Sequence, residues 1–486
     1  MRSGGKINRR GLFAASGAAL AAAAARGCVE GGKAERADVV IIGAGMAGLA
    51  AADALSRAGR SVLILEARDR AGGRVCGGRV AGVPVDLGGM WLSPAHTALT
   101  ALTAELGLAT YATHLSGNGV AFFGGARTTF PGEDAGVAIP ERVRGVFMKS
   151  YADFITLSES VDIEAPWTTP SAAALDEVTL ESWARRYSQD SAFLGAWDLT
   201  ARTIICAAAS DVSLLSFATY CRSGGGLPLL ASASDGGAQN KLVDGGMFQI
   251  VDRLASKLSG FIRYNCAVRA IRQDAQGAVV AFEAGEVRAD QVICTLPPTL
   301  AGRIAYDPPV SALRDGYTQR APMGSVIKCW IAFTRPFWRE RGFNGLALSR
   351  EHGLSALFDV TPRSGGQGIL AGFFDGAHAL RWAQASTVER RAETLRFIRD
   401  AFGPDADDPQ DYIDIDWTSE AWTRGCFGTF TGTGVLTKFG QAIRRREGRV
   451  HFAGTDTAVR WTGHIEGAIL AGRRAAAEVI AAAASP

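Results

Sequence analysis

An α/β fold built on a parallel sheet is what the sequence predicts, and three observations carry that expectation. Asp38-Val39-Val40-Ile41-Ile42 is a continuous β-branched run, the mark of a strand buried on both faces. It leads into Gly43-Ala44-Gly45-Met46-Ala47-Gly48, after which Leu49, Ala52 and Leu55 share one helical face and Gly59 supplies a stop. Ser61-Val62-Leu63-Ile64-Leu65 is then a second buried strand, ending in Glu66. Strand, glycine turn, helix and strand make one βαβ unit, and 486 residues are enough for two domains.

Further along, Arg263 to Ile271 and Ala278 to Glu283 read as strands, and Asp290 to Thr295 as another, closed by Leu296-Pro297-Pro298. Val388 to Phe402 has the spacing of an amphipathic helix. Glycine-rich Ser223-Gly224-Gly225-Gly226 and Asp235-Gly236-Gly237 read as loops. The 47% apolar and 20% charged residues are ordinary for a soluble globular protein, and 59 glycines suit a chain with many tight turns. No stretch of about 20 strongly apolar residues occurs, so a transmembrane anchor is not expected.

Residues 1–28 read as a targeting segment. Asn8-Arg9-Arg10-Gly11-Leu12-Phe13 sets a twin-arginine pair before an apolar run, Ala14 to Ala25, that is too short to span a bilayer. Export by the twin-arginine route, to the periplasm or beyond, is therefore expected. Cys28 ends the segment, but Arg26 spoils the lipoprotein pattern before it. The leader also holds Arg2, Lys6, Arg9, Arg10 and Arg26 with no acid, so without it a net charge of +3 becomes about −2. Nothing then points to a nucleic-acid partner. Cysteines 28, 76, 206, 221, 266, 294, 329 and 426 show no CxxC and no Cys/His metal spacing, so no metal site is expected. Several lie in apolar strand-like runs, where small buried hydrophobes are usual.

The glycines carry the first chemistry. Gly43 makes the tight turn, Gly45 lets the backbone approach a pyrophosphate, and Gly48 allows close helix–strand packing. The helix N-terminus with Met46 and Ala47 offers free N–H groups and a positive dipole end, and Glu66 can accept from a ribose diol. This Rossmann-type cradle suits NAD or FAD equally. Ala67-Arg68-Asp69-Arg70-Ala71-Gly72-Gly73-Arg74 favours the longer ligand, which needs further phosphate neutralisation.

From about Asp38 to Ile480 the sequence closely resembles the flavin-containing amine oxidases of the monoamine oxidase type. Glu66–Arg74 carries the likeness, with Asp86-Leu87-Gly88-Gly89-Met90-Trp91, Ala165-Pro166-Trp167, Met323–Cys329 and Pro336-Phe337-Trp338-Arg339. At the C-terminal end it rests on Phe452-Ala453-Gly454-Thr455-Asp456-Thr457 and Trp461-Thr462-Gly463-His464-Ile465-Glu466-Gly467-Ala468. The resemblance implies an FAD-binding domain of residues 36–110, 243–317 and 420–482. Interleaved with it would be an α+β substrate-binding domain of mixed sheet plus helices, residues 111–242 and 318–419. It places FAD against the cradle residues, Gly88 to Trp91, Val268, Trp417, Cys426, Gly454 to Asp456, Gly463 to Ile465 and Ala468.

Lys328 lies in an otherwise apolar strand, where an amine is costly unless it faces a polar cavity or snorkels from an edge to solvent. By resemblance it would hold a water near flavin N5 and assist turnover with oxygen. Trp417 and, nine residues on, Cys426 match the family segment that ends in a flavin-linked cysteine, although Arg424 replaces the small residue expected there. The resemblance thus implies a thioether, with a buried free thiol as the alternative. Where the family sets two tyrosines face-on to the amine, this chain has Phe427 and His464. Phe427 keeps a π-face, while His464 adds a titratable nitrogen that should be neutral in turnover. The altered cage suggests an amine with an anionic or hydrogen-bonding group. Trp91, Ile205, Cys206, Leu229 and Leu230 are further expected pocket residues, whereas Arg222, Asp235 and Gln239 find no place.

The implied reaction is oxidation of an amine to an imine by hydride transfer to FAD, then hydrolysis, with O2 reduced to hydrogen peroxide. A homodimer is left open. The rivals are an amine dehydrogenase with a protein electron carrier, a carbon–carbon desaturase of the same fold and a catalytically inert FAD-containing binding protein. A plain NAD-dependent dehydrogenase would leave Phe452–Ala468 without a role.

Overall fold

Val39, Val40, Ile41 and Ile42 are fully buried in the strand Arg36–Ile42, where β-branched side chains pack without the χ1 cost they carry in a helix. The computed structural model describes residues 35–484. The leader expected at 1–28, with Cys28, lies outside the described residues. Strand Arg36–Ile42 pairs in parallel with Val62–Leu65, and the helix Met46–Arg57 between them buries Leu49, Ala52 and Leu55 against the sheet. Gly59, at φ +73°, ends the turn after that helix.

Eight strands complete this sheet. Edge to edge they run 262–263, 62–65, 36–42, 285–294, 278–282, 268–273 and 305–307, with Val450–Phe452 parallel to the 285–294 strand. The expected strand Arg263 to Ile271 is in fact two strands, Ile262–Arg263 and Val268–Gln273. Asn265 breaks it by adopting φ +58°, and the intervening chain donates from Asn265 N to Arg68 O and from Cys266 N to Glu66 O. The C-terminal helix Ile465–Ala484 lies across helix 46–57, so close that a Cβ on Gly472 would sit 2.1 Å from the Ala47 carbonyl.

A second sheet of seven strands runs 411–416, 326–333, 368–375, 356–359, 343–349, 118–123 and 126–131. Every residue of Val326–Phe333 is buried, because this strand is flanked on both sides and covered on both faces. The expected helix at 388–402 is Thr387–Phe402, started by a Ser386–Glu389 capping box and stopped at Gly403, φ +106°. Trp91–Leu92, Lys241–Val243 and Thr110–Ala112 form a small sheet of three strands. No described helix is long and apolar enough to cross a membrane.

Gly48 is the tightest point of the βαβ unit, since a Cβ there would lie 2.0 Å from the Gly43 carbonyl oxygen. Backbone cannot yield as a side chain does, so Gly48→Ala will destabilise the protein by about 1–3 kcal/mol. Thermal unfolding reads this directly, and an unchanged Tm contradicts it.

Candidate active site

A cavity of about 210 Å³ opens where the first βαβ unit meets the C-terminal helix. Gly43, Gly45, Met46 and Ala47 wall one end, together with Glu66, Arg68, Gly72, Gly73 and Arg74. Gly43 turns at φ +99°, with Thr295 Oγ1 packed where its side chain would be. Gly48 lies behind this wall, holding the helix against the turn rather than facing the cavity. The Glu66 carboxylate, 3% exposed, accepts from Ala44 N at 2.7 Å and Arg68 N at 3.0 Å, which fixes it at the end of its strand with lone pairs to spare. Arg68 bonds Thr423 Oγ1 at 2.6 Å and pairs with Glu420. Ala67 and Val268 wall an adjoining cavity that shares Gly43, Glu66 and Arg68.

Arg74 ties three remote segments together. Its Nη2 donates to Asp456 Oδ2 at 2.7 Å and its Nη1 to the Phe427 carbonyl at 2.8 Å. Asp456, itself off the cavity wall, also accepts from Thr429 N at 2.8 Å. The chain before the cavity, the aromatic wall and the C-terminal motif are thereby held in register.

Gly88, Gly89, Met90 and Trp91 line the next stretch, followed by Lys328, Cys426 and Phe427. Lys328 does not snorkel: its amine is buried, donating to the carbonyls of Gly88 at 2.7 Å and Asp86 at 2.9 Å. Burial lowers its pKa, and the Asp86 carboxylate opposes that shift. Asp86 spends both carboxylate oxygens on the N–H groups of Met247 and Phe248, at the start of helix Phe248–Lys257. Cys426 is a free thiol whose pKa burial pushes up to about 12, against the pull of Arg74 and Lys328. Trp417 stands behind the wall, its indole N–H on the Leu87 carbonyl at 3.0 Å.

Gly454, Thr455, Gly463, His464, Ile465 and Ala468 close the cavity. His464 donates from Nδ1 to the Thr462 carbonyl at 2.9 Å, which leaves Nε2 as an acceptor, and burial lowers its pKa. Among the expected pocket residues, Leu230 lines this cavity while Leu229 packs against Gly225 beside it. Ile205 and Cys206 lie one layer back, where the Cys206 carbonyl takes the Ser325 N–H, and Thr203 and Ile204 supply the wall. Helical periodicity accounts for that offset, because Ile205 and Cys206 end the helix Ser191–Ile205 with Cys206 at φ +55°. Gln239 lines the cavity too, whereas Arg222 and Asp235 are exposed. A second cavity of about 400 Å³ shares Trp91, Thr203, Ile204, Gln239, Phe373 and Phe427 with the first. His96, Tyr220 and Phe373 are cavity residues that no sequence motif announced.

The sequence profile of the flavin containing amine oxidoreductases matches residues 46–480. The chain belongs to that family. It is 37% identical over 444 residues to a Mycobacterium tuberculosis protein carrying a flavin-containing monoamine oxidase name, covering 91% of this chain and 96% of that one. It is 34% identical over 459 residues to an L-amino acid dehydrogenase of Synechocystis, covering 91% and 94%. The structure of cyclohexylamine oxidase from Brevibacterium oxydans superposes with a TM-score of 0.88 at 33% identity, covering 92% of this chain and 99% of that one.

The family's cofactor is FAD, and the cradle fits it. A Cβ on Gly45 would meet nothing closer than the Gly72 carbonyl at 3.9 Å, so the turn faces open space that a pyrophosphate can occupy. Arg68 Nε is buried in that wall with no partner. Among the described residues no cluster of His, Cys, Asp or Glu could hold a metal ion.

As in any amine oxidoreductase, pH acts on both substrate and wall. Burial keeps His464 neutral above the ordinary imidazole value of about 6.5. An acid limb in kcat/KM above that pH therefore does not belong to His464, and His464→Phe will leave its midpoint in place. Movement of the limb on that substitution contradicts a neutral His464. Lys328→Met leaves the Asp86 and Gly88 carbonyls without a donor and will cost about 1–3 kcal/mol. A Tm equal to or above that of the unaltered protein contradicts this.

Proposed function

We propose that this chain is an exported amine oxidase that converts an amine with an α-hydrogen to an imine, then to an aldehyde or ketone, and passes the electrons to O2 as hydrogen peroxide. One observation carries the reading: the dinucleotide cradle, the buried Lys328, Cys426 and the Phe427–His464 wall converge on one cavity. Bound FAD supplies the acceptor for the hydride leaving the α-carbon. The chain's part is placement in dry surroundings. Phe427 and His464 put two aromatic rings on the wall beside a neutral amine, and a neutral imidazole does not repel it. The second cavity, walled by Phe123, Phe147, Leu346 and Phe358, gives the rest of the substrate an apolar path. Lys328 donates to the Asp86 and Gly88 carbonyls and to Met90 Sδ at 3.3 Å, which fixes the Gly88–Met90 stretch of the wall.

Residues 36–110, 243–317 and 420–482 would form the cofactor-binding domain, and 111–242 with 318–419 the substrate-binding domain. In support, the eight-stranded sheet draws every strand from the first set and the seven-stranded sheet every strand from the second. Export rests on Arg9-Arg10 and the apolar run after it. Cys426, on the cavity wall beside Arg74, is the residue for a thioether to the flavin. A second reading, a dehydrogenase that hands electrons to a carrier, is supported by the name of the Synechocystis relative.

Anaerobic mixing of the yellow holoenzyme with a panel of amines will bleach the flavin absorbance, and air will restore it with one peroxide and one carbonyl product per cycle. If no amine bleaches it, the proposal fails; flavin that stays reduced in air assigns the dehydrogenase instead. After acid precipitation the colour will stay with the protein and leave it in Cys426→Ser. Free flavin from the unaltered chain refutes the thioether.

A further inference from the structure

Two buried polar groups on the wall of the first cavity have no partner, and they flank the same histidine. Tyr220 lies on the helix Leu214–Ser223, 5% exposed, with its hydroxyl unpaired. A Cβ on Gly463 would be 2.5 Å from that oxygen, which places the hydroxyl over the turn preceding His464. The Tyr220 and His464 rings are 5.8 Å apart. His96, 2% exposed, precedes the helix Thr97–Glu105, and its ring stands edge-on to Trp461 at 4.1 Å and 6.0 Å from His464.

The hydrogen bonds fix what each ring offers. Ser93 N donates to His96 Nδ1 at 3.0 Å, so the ring proton sits on Nε2, and that N–H is unpaired. His464 is the other tautomer, with Nδ1–H on the Thr462 carbonyl and an accepting Nε2. Two donors and one acceptor therefore lie around the His464 ring, on residues that line the cavity. Buried donors of this kind are rare without a partner in a folded chain, and a ligand is the usual partner when they face a cavity.

These three groups carry no formal charge. Burial holds His96 at about 3 and lowers His464, and it raises the Tyr220 phenol well above its ordinary value. The nearby cations are already engaged, Arg74 by Asp456 and the Phe427 carbonyl, Lys328 by the Asp86 and Gly88 carbonyls. A carboxylate would meet donors but no counter-charge. A neutral oxygen meets what is there.

We propose that Tyr220 and His96 are specificity-determining residues that bind a neutral oxygen, as hydroxyl, ether or carbonyl, on the amine this enzyme oxidises. This rests on the amine-oxidase reading and names its substrate class: amino alcohols, amino ethers or amino carbonyl compounds rather than plain hydrocarbon amines or amino acids. Where the oxygen is a hydroxyl, His464 Nε2 takes its proton as a hydrogen bond. The reaction at the α-carbon is unchanged; the two side chains hold the remote oxygen.

The test uses the holoenzyme and matched amines in which oxygen replaces or is added to a methylene. Cyclohexylamine is compared with tetrahydropyran-4-amine, tetrahydropyran-3-amine and 4-aminocyclohexanol, and 4-aminocyclohexanecarboxylate supplies the anion. In kcat/KM the best neutral oxygenated member will exceed cyclohexylamine by roughly 10–100-fold, as expected where buried donors would otherwise go unpaired. Tyr220→Phe, which removes only the hydroxyl, and His96→Phe will each shrink that ratio toward one, with the flavin spectrum and FAD content of the isolated proteins unaltered. A ratio near one in the unaltered enzyme, or one that survives both substitutions, overturns the proposal. So does a preference for the carboxylate, or a loss of FAD in both variants, which would assign the two groups to the cofactor. Flavin that no amine bleaches is a different result, because it removes the amine-oxidase reading before any ratio can be formed.

Discussion

The Arg74 guanidinium is the contact on which the site depends. It joins a segment just after the second parallel strand to a carboxylate and a carbonyl more than 350 residues later, by bonds of 2.7 and 2.8 Å. Asp456 is 1% exposed at its side chain and Arg74 18%, so the pair is shielded from solvent and from screening. Removing either partner would leave a buried charge without compensation, which typically costs about 3–5 kcal/mol. The planar fork of arginine is what lets one side chain reach both acceptors at once. Cradle, aromatic wall and C-terminal helix then share one frame, and the cavity lies where they meet.

Around that frame the chain avoids free charge. Lys328 is held by two carbonyls, Asp86 by two helix N–H groups, and Glu466 by the N–H groups of Ala98 and Leu99 at another helix start. Each carboxylate therefore serves as a remote cap that fixes a helix against the cavity wall. Around His464 the cavity surface is left with neutral imidazoles and a phenol, apart from the charged Glu66, Arg68, Arg74 and Lys328 elsewhere on the same wall. Such a surface accepts a neutral amine and sheds water, which a site lined by unpaired charge could not do.

Much of this was legible in the sequence because local rules decide it. The β-branched run at 39–42, the glycine spacing at 43–48 and the amphipathic spacing of 388–402 act over a few residues, and the structure has those elements where they were expected. Family motifs likewise led to Gly88–Trp91, Lys328, Cys426, Phe427 and His464, all on the cavity wall. Tertiary choices were not legible. Asn265 splits one expected strand because its left-handed turn lets Cys266 bond Glu66 and Asn265 bond Arg68, partners 200 and 197 residues away by number. Ile205 and Cys206 yield the wall to Thr203 and Ile204 through helix phase alone. His96 and Tyr220 sit in unremarkable helical surroundings, and only the folded chain brings them to His464.

A double-mutant cycle on Arg74 and Asp456 tests the shared frame most directly, with Arg74→Met, Asp456→Leu and the pair compared in Tm and FAD content. Coupled partners predict that each single substitution lowers both, and that the double variant is no worse than the poorer single one. Losses that simply add would show that the two residues act independently, and would contradict the account of a single clamp holding cofactor cradle and substrate wall in register.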